Sequence, residues 1–358
     1  MSLLSRPRLV LLEIAAAAAL VAVAFKGIWM PAGGVVAVVA AALALVSVRR
    51  RGLHQVVRSW LAMRSRRSRL RGQGIASLTG DSYEVVSVPT AGGGVPVGAI
   101  RDATTWSVPL ALPLAGVFND DAPIPLERLA TLLTVEDVPL SSVRLVTMTA
   151  PATAGNPAGP VAPAPRLAMR HLVLTLDTVY AADVIAQRGG HAAIHQILRR
   201  CVLRAEEVLA SAGVEVRRLT EKVVAMDSAS CLGPVPMSPD GTLPSATESL
   251  NDVRLEGSMS MTFAVSGDDA VTKLDQLAAV LPVPIVATSA VLQPGPLHRH
   301  PTLLLLLRLS GPTEVVQGAV DHLDSVSRDL GLRINRVLGE QVPLLKATTL
   351  LGVSAEAA

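Results

Sequence analysis

The chain has 358 residues, half of them apolar and 17% charged, with a formal net charge of +3. Residues 1–71 carry twelve Lys/Arg against one acid, Glu13 (net +11), and residues 72–358 carry twenty Lys/Arg against twenty-eight Asp/Glu (net −8). That split, with a mean hydropathy of +0.46, excludes a wholly soluble chain, a many-span transporter and overall disorder. Two cysteines, Cys201 and Cys231, exclude a disulfide scaffold, and eight aromatics give few surfaces on which bases could stack, so no nucleic-acid partner is expected.

Two apolar stretches open the chain, at about 9–25 and 28–48, separated by Lys26-Gly27. At 1.5 Å rise per residue both come near the length that crosses a bilayer core, which predicts a two-helix transmembrane hairpin over 1–48. A cleaved signal peptide would leave the second stretch unexplained. Arg6 and Arg8 precede the hairpin and Arg49, Arg50, Arg51 and Arg58 follow it, so the positive-inside rule keeps both chain ends in the cytoplasm. Small residues at four-residue spacing (Ala15/Ala19, Gly33/Ala37/Ala41) fit close helix contact or plain alanine abundance equally well. Glu13 lies near the start of its span, within snorkelling reach of the headgroups.

Residues 49–74 read as an Arg-rich amphipathic juxtamembrane helix and linker. Leu53, Val56, Val57, Trp60 and Leu61 recur at helical spacing, with Arg51, Arg58, Arg64, Arg66 and Arg67 on or near the other side. Such a helix suits an anionic lipid surface, and packing on a protein partner is the competing reading. The remainder, 75–358, is expected to form a cytoplasmic α/β (α+β) body. Strands are expected at Tyr83–Val88, Val97–Ile100, Trp106–Leu112, Ser142–Met148 and Leu172–Leu176, with a short helix at Pro125–Leu133. A Pro/Ala/Gly-rich loop is expected at 149–165. A helical pattern over Val179–Ala212, broken at Gly189-Gly190, leads to a strand at Val214–Leu219. Further on, strands are expected at Leu255–Val265, Val283–Val291, Leu303–Leu309 and Leu332–Val337, with helices at Asp268–Val280 and Thr313–Leu330. AGVEVRRLTEKV at 212–223 matches DLGLRINRVLGEQV at 329–342, which points to two duplicated strand-helix-strand units or to convergence of ordinary ones.

Few residues carry chemistry. His191 and His195 have the i, i+4 spacing of a zinc pair, but no glutamate lies between them and no third ligand is evident. His298 and His300 fall in a Pro-rich loop. AGGGVPVG at 91–98 lacks the Lys-Ser/Thr of a phosphate loop, and Ser228-Ala-Ser230-Cys231 reads as a polar loop. Asp268-Asp269 fits a helix cap better than a metal site. The expectation is therefore a protein with no catalytic residues, no cofactor and no metal. A membrane-tethered α/β enzyme of transferase type, with an active site that no motif reveals, is the alternative, and a lipid-surface sensor built on 49–71 is a third reading.

The order of these features resembles the EccE family of the type VII (ESX) secretion systems of actinobacteria. The likeness rests on the membrane hairpin with its arginine-rich exit, VGAIRDATTWSVPLAL at 97–112, and the Gly189-Gly190 helix followed by LRRCVLRAEEVLASAGVEVRRLT at 198–220. Ala103 stands where a glycine often follows the aspartate in the family's early strand pair. The resemblance implies a structural, non-catalytic component of the secretion complex in the inner (plasma) membrane. Its implied partners are EccB-, EccC- and EccD-like subunits, with EccC supplying the energy, and anionic lipid.

Overall fold

The computed structural model describes residues 13, 15–21, 34–40, 47–48, 51–67, 78, 83–90, 95–113, 124–151, 166–232, 246–255, 257–295 and 300–353. Residues 1–67 and 68–358 form two compact units. In the first, β1 (Ser47–Val48) pairs antiparallel with β2 (Arg51–Gly52), and α1 (Leu53–Arg67) follows. The expected spans over 9–25 and 28–48 lie largely outside the described residues. Among the described residues no helix is long and apolar enough to cross a membrane. The last two residues expected in the second span, Ser47 and Val48, are hairpin rather than helix.

The second unit begins with β3 (Glu84–Val88), β4 (Val97–Asp102) and β5 (Thr105–Leu112). Next come α2 (Leu126–Ala130), a short hairpin β6 (Thr134–Val135) and β7 (Val138–Pro139), then β8 (Ser142–Pro151) and β9 (Arg166–Asp177). After α3 (Ala182–Gln187) and α4 (Ile194–Ala210) come β10 (Arg217–Arg218) and α5 (Glu221–Leu232). The chain continues through β11 (Thr247–Glu248), β12 (Val253–Leu255), β13 (Ser258–Ser266), α6 (Ala270–Val280), β14 (Ile285–Gln293) and β15 (Thr302–Gly311). It then forms α7 (Thr313–Asp329), β16 (Arg333–Arg336) and α8 (Gln341–Ala347).

Among the described residues, twelve strands build one antiparallel sheet in the order β11-β12-β13-β15-β14-β8-β9-β5-β4-β3. β10 lies on β5 beyond the end of β4, and β16 lies on β13 beyond the end of β12. The body is thus a mixed α/β structure in which every neighbouring pair of strands runs antiparallel. Strands joined through a helix, such as β5 and β8, are not neighbours, because β9 sits between them.

The element order repeats. β5-α2-β8-β9-α4-β10-α5 and β13-α6-β14-β15-α7-β16-α8 have the same connections and pairings, each a split β-α-β arrangement with an added helix. β3-β4 and β11-β12 extend the two outer edges, and β8 joins β14 at the centre over Val143–Thr149 and Val286–Leu292. Small details repeat with the topology. Ser107 faces Thr175 across β5 and β9 with a hydroxyl contact of 3.2 Å, and Ser260 faces Ser310 across β13 and β15 at 2.8 Å. α4 closes through Gly213 (φ 75°) with Val214 N–H donating to Leu209 O at 2.9 Å; α7 closes through Gly331 (φ 70°) with Leu332 N–H donating to Ser327 O at 2.7 Å. This left-handed closing turn suits glycine, which has no Cβ to strain it.

Period-two alternation gives the sheet two buried faces. Val143 of β8 and Leu172, Leu174 and Leu176 of β9 face one core with α4, and the second repeat packs α6 and α7 on Phe263, Leu305, Leu307 and Leu309. On the opposite face Val146, Met148, Val173 and Ala287 meet α5 and Leu350-Leu351, while Val291 and Leu306 meet α8 and Val353.

Several sequence expectations need correction. Residues 149–151 extend β8, because β9 supplies partners as far as Arg166; residues 152–165 lie outside the described residues. Only Arg217 and Arg218 of Val214–Leu219 pair as strand. Leu255–Val265 is two strands, turned at Gly257 (φ 72°). Ser228-Ala-Ser230-Cys231 is helix, part of α5. Asp269 precedes α6 as expected of a cap, but its φ is 55° and its side chain caps nothing.

Candidate functional site

α4 buries Ile194, Ile197, Leu198, Cys201, Val202, Ala205, Val208 and Leu209, the set its 3.6-residue period picks out. Its outer side then carries Arg199, Arg200, Leu203, Arg204, Glu206 and Glu207. Much of this charge is paired. Arg218 holds Glu206 with two bonds of 2.6 Å, and Arg204 meets Glu207 at 3.0 Å. Arg200 meets the Glu136 carboxylate, while Arg188 donates to the Glu136 carbonyl and lies 3.5 Å from its carboxylate. Glu136 and Asp137, between β6 and β7, have φ of 47° and 67°, a left-handed backbone that costs roughly 1–2 kcal/mol per residue without glycine. The two arginines converge on that turn.

Among the described residues, depressions lie along this helix. An apolar cavity of about 150 Å³ lies between α4 and β3–β5, walled by Val88, Val97, Val108, Leu198, Val202 and Leu203, with Arg199 and Arg218 at its rim. A hollow of about 480 Å³ on the other flank meets Glu136, Arg200, Leu203 and Arg204. A third, of about 280 Å³, lies between Arg188, Ile197 and Arg200. Leu203 stands between the first two and is 43% exposed, a large apolar side chain amid arginines.

The residues singled out by motif fall elsewhere. His191 and His195 are exposed and set their rings edge-on to the buried Trp106, with centroids 6.2 and 5.5 Å away. The Arg101 guanidinium lies 5.7 Å from the same ring, so the histidines help to enclose an indole. Among the described residues no group of three or more His, Cys, Asp or Glu is placed to hold a metal. His298 and residues 91–94 of the Gly-rich stretch lie outside the described residues. Cys201 and Cys231 are buried, and burial pushes both thiols up to about 12, so little thiolate exists at neutral pH.

A polar layer under the opposite face gave no motif. Arg144, fully buried on β8, donates through Nη1 to Lys346 O (2.9 Å) and Thr349 O (3.2 Å), and through Nη2 to Leu351 O (2.5 Å) and Thr175 Oγ1 (3.4 Å). It therefore caps the end of α8 and fixes the segment beyond it. Arg308, fully buried on β15, donates to Cys231 O near the end of α5. Burial draws Arg144 down to about 9 and Arg308 to about 10, and both stay protonated at neutral pH. His171 Nε2 lies 3.1 Å from Asp227 Oδ2, which ties α5 to β9, and Lys346 Nζ meets Asp102 Oδ2 at 2.8 Å. A single charged residue inside an apolar run (SVRLVTM, LLLLLRLSG) was the signal for both arginines.

Compared with known proteins, residues 162–265 match the family model described as type VII ESX secretion system translocon, EccE. The matched stretch includes β9, α3, α4, β10 and α5 and runs into β13, and it supports the family resemblance read from the sequence. No curated protein matches the chain.

Proposed function

We propose that this chain is a structural, non-catalytic component of a type VII (ESX) secretion complex at the inner membrane. The observation that carries the reading is the EccE family match, which includes the helix α4 around which the surface depressions gather. In this reading residues 1–48 anchor the protein as a hairpin, 49–74 lie along the membrane, and 75–358 form a cytoplasmic body that docks on EccB-, EccC- and EccD-like subunits. α1 suits the second role. Trp60 and Leu61 are exposed, and the Arg64 guanidinium lies 5.5 Å over the Trp60 ring, which sets aromatic, apolar and cationic groups together as an anionic interface requires.

The test is affinity purification of the tagged chain from gently solubilised membranes of cells that make the complex. Co-purification with those three subunits, and loss of secretion when the chain is deleted, are the expected results. A chain that leaves the membrane in mild salt, or purifies free of those subunits, would contradict the proposal.

A further inference from the structure

We infer that the 150 Å³ cavity beside α4 receives one apolar side chain of a partner protein, carried next to a carboxylate that pairs with Arg199. This rests on the docking role proposed above and assigns it a place. A cavity of this size walled by aliphatic groups takes about one benzene-sized group. It is far too short for an acyl chain, so a Leu- or Phe-sized side chain fits better than a lipid tail. The charge follows from the rim. Arg218 is held by both oxygens of Glu206, whereas Arg199 has no hydrogen bond or ion pair among the described residues.

The second repeat serves as an internal control. Counting back from Gly213 and from Gly331, Arg199 and Leu203 correspond to Gln317 and Asp321. On β13, the gap between the partners of β12 and β16 is bridged by Gln341, which accepts from Thr262 N–H at 2.9 Å and donates to Thr262 O at 3.2 Å. On β5 the gap between β4 and β10 falls at Val108 and Pro109, and Pro109 has no N–H to satisfy. The fold can therefore dispense with an exposed leucine and an unpaired arginine at this position, and only the first repeat has them.

The experiment places a photo-reactive phenylalanine at position 203, or at 321 as control, in the full chain in native membranes. Adducts are mapped after purification of the complex. Position 203 should label a subunit segment with Asp or Glu within two residues of an apolar side chain, and position 321 should not. Arg199→Glu in the same chain should lower that adduct at least tenfold, and Arg199→Lys should keep most of it. An adduct with lipid, with a second copy of this chain, or with a protein segment indifferent to Arg199→Glu would overturn the inference, as would no adduct at all. If the complex co-purifies intact in those cases, the docking role survives. If the unaltered chain fails to co-purify, that role falls too.

Discussion

At the scale of single residues, the β4–β5 turn shows how a side chain can oppose the backbone it sits on. Ala103 has φ of 46°, in the left-handed region that suits glycine. The turn holds because its neighbours are fixed. Thr105 Oγ1 donates to Asp102 O at 3.1 Å, Thr178 N–H donates to Thr104 O at 2.8 Å, and the Asp102 carboxylate takes Lys346. Ala103→Gly removes the Cβ strain without touching those contacts. It also loosens the unfolded chain, which offsets part of the gain. The expected net effect is a stabilisation of about 0.5–1 kcal/mol, read as a higher midpoint in urea with an unchanged slope. A lower midpoint would mean that the alanine methyl contributes more packing than the strained dihedral costs.

At the scale of elements, α5 depends on one close approach. Gly98 N–H donates to Leu219 O at 2.7 Å, and a Cβ at position 98 would stand 2.8 Å from both Glu221 N and Val224 Cγ2. The backbone nitrogen cannot yield without shifting the first turn of the helix. Gly98→Ala should therefore cost about 1–3 kcal/mol and raise amide hydrogen exchange first in 221–232. Uniform loss of protection across the sheet, with α5 no worse, would contradict this placement. The same helix marks where the sequence stops being legible. Long runs with large apolar residues at a clear period, such as α4 and α7, were readable. In α5 the buried positions are Val224, Ser228, Cys231 and Leu232, a helical spacing filled partly by small or polar residues, so EKVVAMDSASCL gives no amphipathic stripe. The antiparallel order was hidden for another reason, since periodicity says which face a residue takes and nothing about which strand lies beside it. The candidate docking cavity was half visible: the period placed Arg199 outside, but the gap over Pro109 depends on how short β10 is.

At the scale of the whole body, the two repeats are interlocked rather than merely adjacent. The sheet runs unbroken from one to the other through β8 and β14. Each repeat also supplies a buried arginine to a helix of its twin: Arg144 of the first reaches the end of α8 in the second, and Arg308 of the second reaches the end of α5 in the first. Separating them would break the bonds from Arg144 to the carbonyls of Lys346, Thr349 and Leu351 and the bond from Arg308 to the Cys231 carbonyl. It would also expose β8 and β14 as long edges prone to pair with anything available. Neither half should then fold alone. Expressed separately, 75–245 and 246–358 are expected to show little protected amide hydrogen, and mixing them should restore the protection pattern and sedimentation of the intact body. The arginines make the test specific. With Arg144→Ala in the first fragment, complementation should weaken at least tenfold, although the β8–β14 ladder is untouched. If one fragment alone proved stable and cooperative, the repeats would be autonomous domains joined by a sheet, and the exchanged caps would be incidental to the fold.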